Sequence, residues 1–139
     1  MEYEKGVITF IDAGLLTIQK KTDSDALHET KKQIDGLIAR FEPETLSIEK
    51  LYFMKNQKTA MQVAQARGVI ISAATERGLD ILEFGPNEIK LGITGYGLSD
   101  KKAVLKMVRL ILNEPRLDVI DDASDALAAA ITACRKRLG

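Results

Sequence analysis

Cysteine is nearly absent. Cys134 is the only one in 139 residues, so no internal disulfide and no cysteine zinc site can form, and a reducing compartment, the cytoplasm, is expected. An excess of one charge is also missing. The 20 Lys and Arg cancel the 20 Asp and Glu, which argues against a generic polyanion binder unless charge is segregated between faces. No run approaches the roughly 18 apolar residues of a membrane span, and no signal-peptide pattern opens the chain, so no membrane partner is expected. There is no P-loop and no GxGxxG. Gly92, Gly95 and Gly97 surround Tyr96 without that spacing and predict a flexible loop. Repeats and low-complexity segments are missing as well. What remains is an ordinary globular composition, 45% apolar and 29% charged, which excludes a disordered tail or a collagen-like chain. The length corresponds to about one domain.

Val7 to Phe10 and Leu15 to Gln19 are β-rich runs around Asp12-Ala13-Gly14, predicting a hairpin or a bulged strand. Thr22-Asp23-Ser24 offers capping groups before a 3.6-residue pattern of Leu27, Ile34, Leu37, Ile38 and Phe41. That is an amphipathic helix with Lys31, Lys32 and Asp35 on its far face, ending before Pro43. Thr45 to Phe53 follows as a strand. Asn56 to Glu76 is a helix whose small residues permit close approach, so a central position is expected, and Gly78 stops it. Leu79 to Phe84 is a short strand, and Gly85-Pro86-Asn87 can start a short helix. Ser99 is expected to cap a helix from Asp100 to Leu112, and the last helix runs from Asp121 to Arg137. Strand–helix alternation implies an α/β fold with parallel strands and helices on the sheet faces.

Chemistry concentrates in few places. Asp122 and Asp125 lie three apart near the start of an Ala-rich helix, so their carboxylates share a face. Acids there complement the helix dipole. The uncharged Ala126 to Ala130 run also implies a packed wall, beside which carboxylates repel unless a cation sits between them. Glu49 interrupts a β-rich run, where an acid is either solvated, paired or a ligand. With the two aspartates it would supply three hard oxygen donors. Lys55, Lys58, Arg67, Lys90, Lys101, Lys102 and Lys106 are mostly solvated cations. At a helix start, however, the dipole disfavours Lys101 and Lys102, and a bound phosphate would relieve this. Tyr52 and Phe53 are adjacent on a strand and cannot both face inward, which leaves one aromatic for stacking on a base. His28 is expected at the surface and Cys134 in the core.

Phe41-Glu42-Pro43, then Ser47-Ile48-Glu49-Lys50-Leu51-Tyr52-Phe53-Met54-Lys55-Asn56, resembles the second catalytic segment of RuvC-type Holliday-junction resolvases. The resemblance continues through Gln65-Ala66-Arg67-Gly68-Val69, Glu83-Phe84, Glu88-Ile89-Lys90, Thr94-Gly95-Tyr96-Gly97, Asp100-Lys101 and Met107-Val108-Arg109. It ends in Asp122-Ala123-Ser124-Asp125-Ala126-Leu127-Ala128. It implies an RNase H-like fold, a mixed sheet flanked by helices, and a homodimer that binds a four-way DNA junction and works with branch-migration proteins. It also implies symmetric cutting of opposed strands with Mg2+ (Mn2+ in its place) held by four acids. Glu49, Asp122 and Asp125 match three of these. Tyr52 matches an aromatic that stacks at the junction, and Lys90 and Lys101 match lysines for the DNA phosphates.

The family's first strand, with its aspartate ligand, has no counterpart here. Asp12 lies too close to Glu49 in sequence, and Val7 to Thr22 aligns better with the family's third strand, after a turn at Tyr3 to Gly6. Residues 1–139 are therefore expected to form one RuvC-like nuclease domain, incomplete at its N-terminus and weak in cleavage. Two other readings compete: a junction-binding or dimerising homologue that does not cut, and a small metal-dependent phosphatase or nucleotide hydrolase. The last predicts a closed pocket and no role for Tyr52 or Lys101.

Overall fold

The computed structural model describes residues 1–19, 22–50 and 57–136. The expected positions of Tyr52, Phe53, Lys55 and Asn56 therefore lie outside the described residues. The chain forms two compact units, one of Met1–Leu15, Ser47–Lys50 and Glu83–Gly139, the other of Leu16–Leu46 and Leu51–Leu82. No helix among the described residues is long and apolar enough to cross a membrane.

The first unit opens on an antiparallel hairpin of β1 (Glu2–Glu4) and β2 (Val7–Thr9), with Tyr3 opposite Ile8. Its two-residue turn is Lys5-Gly6, both at positive φ (51° and 85°), the geometry that matches strand twist in tight hairpins. The hairpin expected around Asp12-Ala13-Gly14 does not form. Asp12 instead accepts a hydrogen bond from the Ala13 N–H at 2.8 Å, residues 10–19 have no ladder, and Leu15 and Leu16 are exposed. Local turn chemistry at Lys5-Gly6 wins over the longer β-rich run.

β3 (Thr45–Glu49) and β4 (Asp80–Phe84) pair in a second two-stranded sheet. The Asp80 N–H donates to Glu44 O and the Lys50 N–H to Phe84 O, so the strands run parallel, as the strand–helix alternation implies. Three helices complete the first unit: α3 (Pro86–Thr94), α4 (Lys101–Leu112) and α5 (Asp121–Lys136). Their shared core is Ile89 and Ile93, Val104, Val108 and Leu112, and Leu127 and Ile131. Pro86 starts α3, where its missing N–H costs nothing. The Glu88 carboxylate accepts from the Gly85 N–H at 3.0 Å. Gly92 is not in a flexible loop but in the last turns of α3. A Cβ there would sit 3.4 Å from Thr132 Oγ1, an ordinary contact distance, so this turn of α3 faces α5. The α4 cap also differs from expectation. Asp100, not Ser99, accepts from the Ala103 N–H at 2.8 Å. Ser99 is buried and bonds Thr94 and the Tyr96 carbonyl instead. His28 is exposed and Cys134 half-buried.

In the second unit α1 (Asp23–Phe41) packs on α2 (Gln57–Glu76). Thr22 caps α1 and Glu42, at φ 48°, ends it before Pro43, as expected. Gly78, at φ 76°, follows α2 as its stop. One expectation needs correction. The residues α2 buries are Ala73 and Ala74, while Met61 and Val63 are exposed, so its small residues do not make it central. On α1, Lys31 and Asp35 join a cluster of ion pairs. Lys31 Nζ lies 2.8 Å from Asp35 Oδ2 and 3.7 Å from Glu76 Oε2, and Arg77 reaches Asp35 Oδ1 at 4.0 Å. The hydrogen bond from Lys31 holds the Asp35 carboxyl below its usual range. A depressed carboxyl stabilises the fold above its unfolded pKa and loses that contribution as pH falls through the folded value. Asp35→Asn is thus expected to lower the melting temperature at neutral pH, and thermal melts in increasingly acidic buffer should show the gap to the parent closing.

Candidate active site

The cleft is built where β3 ends against α5. The Ser47 hydroxyl donates to the Ala129 carbonyl at 2.6 Å, which pins the strand to the helix. Two residues on, β3 has advanced roughly 6.6 Å. One turn back, α5 has receded about 6 Å. Glu49 therefore comes to the level of Asp125. The Lys50 N–H bond to Phe84 O, at 2.8 Å, holds the strand end from its other side, and Phe84 is 2% exposed.

A cleft of about 210 Å³ results, lined by Glu49, Lys90, Lys101, Asp121, Asp125 and neighbouring α3, α4 and α5 residues. Every one of these belongs to the first unit. Lys90 arrives on α3, and Lys101 is the first residue of α4. Partial desolvation raises the Glu49 carboxyl, Asp125 repels it further, and Lys90 and Lys101 pull it back. Desolvation also raises Asp125, Lys101 opposes this, and Asp122 and Asp121 add to the rise. A carboxyl raised in the fold costs stability once ionised, so the pair favours either a proton or a nearby cation.

Among the described residues no group of three His, Cys, Asp or Glu side chains is placed to hold a metal ion. Of the expected trio, Glu49 and Asp125 line the cleft and Asp122 does not. At about 100° per residue, Asp121, Asp125 and Ala128 fall on one arc of α5, and Asp122 lies outside it. Asp121 is the cleft residue that the sequence reading did not single out, and its signal was the four-residue spacing to Asp125. Its Oδ2 lies 3.2 Å from Lys101 Nζ. The discomfort of a lysine at a helix start is relieved here by this carboxylate. The donors that do converge, hard carboxylate oxygens that repel each other, suit a hard divalent cation, but as a partial set.

The family model described as crossover junction endodeoxyribonuclease RuvC matches residues 2–133. A relative from Ruminiclostridium cellulolyticum, named crossover junction endodeoxyribonuclease RuvC, is 39% identical over 132 residues, 94% of this chain and 80% of that one. The solved Thermus thermophilus RuvC structure superposes with a TM-score of 0.84 at 26% identity, covering 100% of this chain and 85% of that one. Thermus thermophilus RuvC in complex with a Holliday junction substrate matches with a TM-score of 0.79 at 29% identity, covering 86% of this chain and 73% of that one. This likeness carries the RNase H-like fold that the resemblance implied. Family model, relatives and structures agree along the chain's length, and the chain belongs to the RuvC family of crossover junction endodeoxyribonucleases.

Proposed function

We propose that this chain binds four-way DNA junctions in recombination and repair and cleaves opposed strands in the cleft between β3 and α5. The observation that carries the reading is the convergence of Glu49 and Asp125 with Lys90 and Lys101 in one cleft of a RuvC-family chain. The two lysines neutralise phosphate charge and fix the strand's register. Glu49 and Asp125, with Asp122 from the same helix, would hold magnesium, or manganese in its place, and the chemistry supplied there would be activation of the attacking water and stabilisation of the leaving oxygen of an in-line displacement. Tyr52 stacks at the branch point. The working form is a homodimer in the cytoplasm, fed by branch-migration proteins. The phosphatase reading is disfavoured because Lys101 and Asp121 stand 69% and 75% exposed, which suits a polymer rather than an enclosed small substrate.

Cleavage by this chain is slow in this reading, because only Glu49 and Asp125 of the three proposed ligands line the cleft. Asp12 does not substitute: it is exposed and bonded to its neighbour's N–H. The same observation favours a second reading, a homologue that holds junctions without cutting. Gel shifts in EDTA test the binding that both share. A synthetic four-way junction should bind more tightly than a linear duplex of the same sequence, and Lys90→Ala should weaken it by roughly three- to tenfold, as loss of one phosphate contact does. Equal affinity for junction and duplex would remove both readings.

A further inference from the structure

We infer that Asp121 is a positioning residue that holds the Lys101 ammonium in the free protein and yields it to a DNA phosphate. The inference rests on the junction-binding reading above. Asp121 opens α5 and Lys101 opens α4, and their side chains meet at 3.2 Å across the rim of the cleft. The contact is a single Nζ to Oδ2 bond between side chains 69% and 75% exposed, a pair that is weak in water and easily exchanged. In this contact the lysine stands over the cleft that Glu49 and Asp125 also line.

Charge decides the sign. Glu49, Asp121 and Asp125 are carboxylates and Lys90 and Lys101 ammonium groups, so the cleft carries excess negative charge before any cation enters. A phosphodiester arriving at Lys101 competes with the Asp121 carboxylate for the ammonium, and that carboxylate then stands beside the DNA. Asp121 thereby places the lysine and at the same time lowers the affinity for phosphate. The RuvC-type ligand positions do not include it, and its spacing to Asp125 puts it on the cleft arc of α5 for a different purpose.

Junction affinity, measured in EDTA with the full chain across a range of salt, tests this. Asp121→Asn should bind roughly two- to fivefold tighter, the value of one exposed ion pair. The plot of log affinity against log salt should steepen by about one, because Lys101 then releases a counterion without leaving an orphan carboxylate behind. Asp121→Glu, which keeps the charge, should return to the parent affinity. On a Lys101→Gln background the gain should vanish. Asp118→Asn removes an equal charge from an exposed position outside the cleft and should give less. A gain that persists without Lys101, a gain that Asp118→Asn matches, or a loss of affinity in Asp121→Asn overturns the inference while leaving junction binding intact. Absence of junction binding in every variant, with unaltered melting curves, overturns the binding reading and the inference together.

Discussion

Glu49→Gln is expected to slow junction cleavage by at least about a hundredfold while leaving junction affinity intact or up to about fivefold tighter. The rate estimate is a floor, since loss of mere supporting groups around a metal costs 10–100-fold. Glutamine keeps the shape and one oxygen of the side chain. It removes the charge that attracts a hard cation, together with the carboxylate that Asp125 repels. The affinity estimate has the opposite sign because a carboxylate facing a phosphate is unfavourable, and an exposed charge contributes up to about 1 kcal/mol. Single-turnover cleavage with protein in excess resolves the slow rates, and gel shifts on the same samples give the affinity. Parallel losses of rate and affinity would instead indicate that Glu49 supports the shape of the cleft rather than its chemistry.

Phe84→Ala carries the largest expected effect on stability, about 3–5 kcal/mol. Phe84 is 2% exposed, the largest fully buried side chain of the first unit, and Lys136 Nζ lies 5.0 Å from its ring centroid. Truncation leaves a cavity at the end of β4, where the Phe84 carbonyl accepts the Lys50 N–H. The loss should therefore reach Glu49, one residue before Lys50. Denaturant unfolding should show the midpoint falling steeply. Phe84→Leu, which refills most of the volume, should recover much of it. Cleavage should fall further in Phe84→Ala than its folded fraction explains.

What the sequence made legible was largely local. The Thr22 cap, the stop at Gly78 and the Pro86 start are chemistry within three or four residues, and all three appear where the pattern placed them. The packed wall of α5 was equally readable, since Ala123 through Ala133 carry no charge apart from Asp125, and most are buried. Choices between adjacent candidates were less legible. Ser99 and Asp100 both cap helices well, and only tertiary burial of the Ser99 hydroxyl decides for Asp100. Asp12-Ala13-Gly14 and Lys5-Gly6 both suit turns, and strand partners choose between them. The site followed the same rule. Glu49, Lys101 and Asp125 stood out by their chemistry and, with Lys90, by motif resemblance, and all four line one cleft. That Asp121 also lines it was not legible, because which arc of α5 is covered depends on α3, α4 and β3, which the helix's own sequence does not encode.

The most direct measurement is the map of nicks in an end-labelled synthetic four-way junction, in magnesium and in manganese, beside a linear duplex of the same sequence. Slow, metal-dependent nicks are expected at matching positions on two opposed strands, none in the duplex, with their loss in Glu49→Gln. Junction binding without nicks would reduce the chain to a non-cutting homologue. Nicks that ignore the branch, or that survive Glu49→Gln, would contradict the cleft as the site of cleavage.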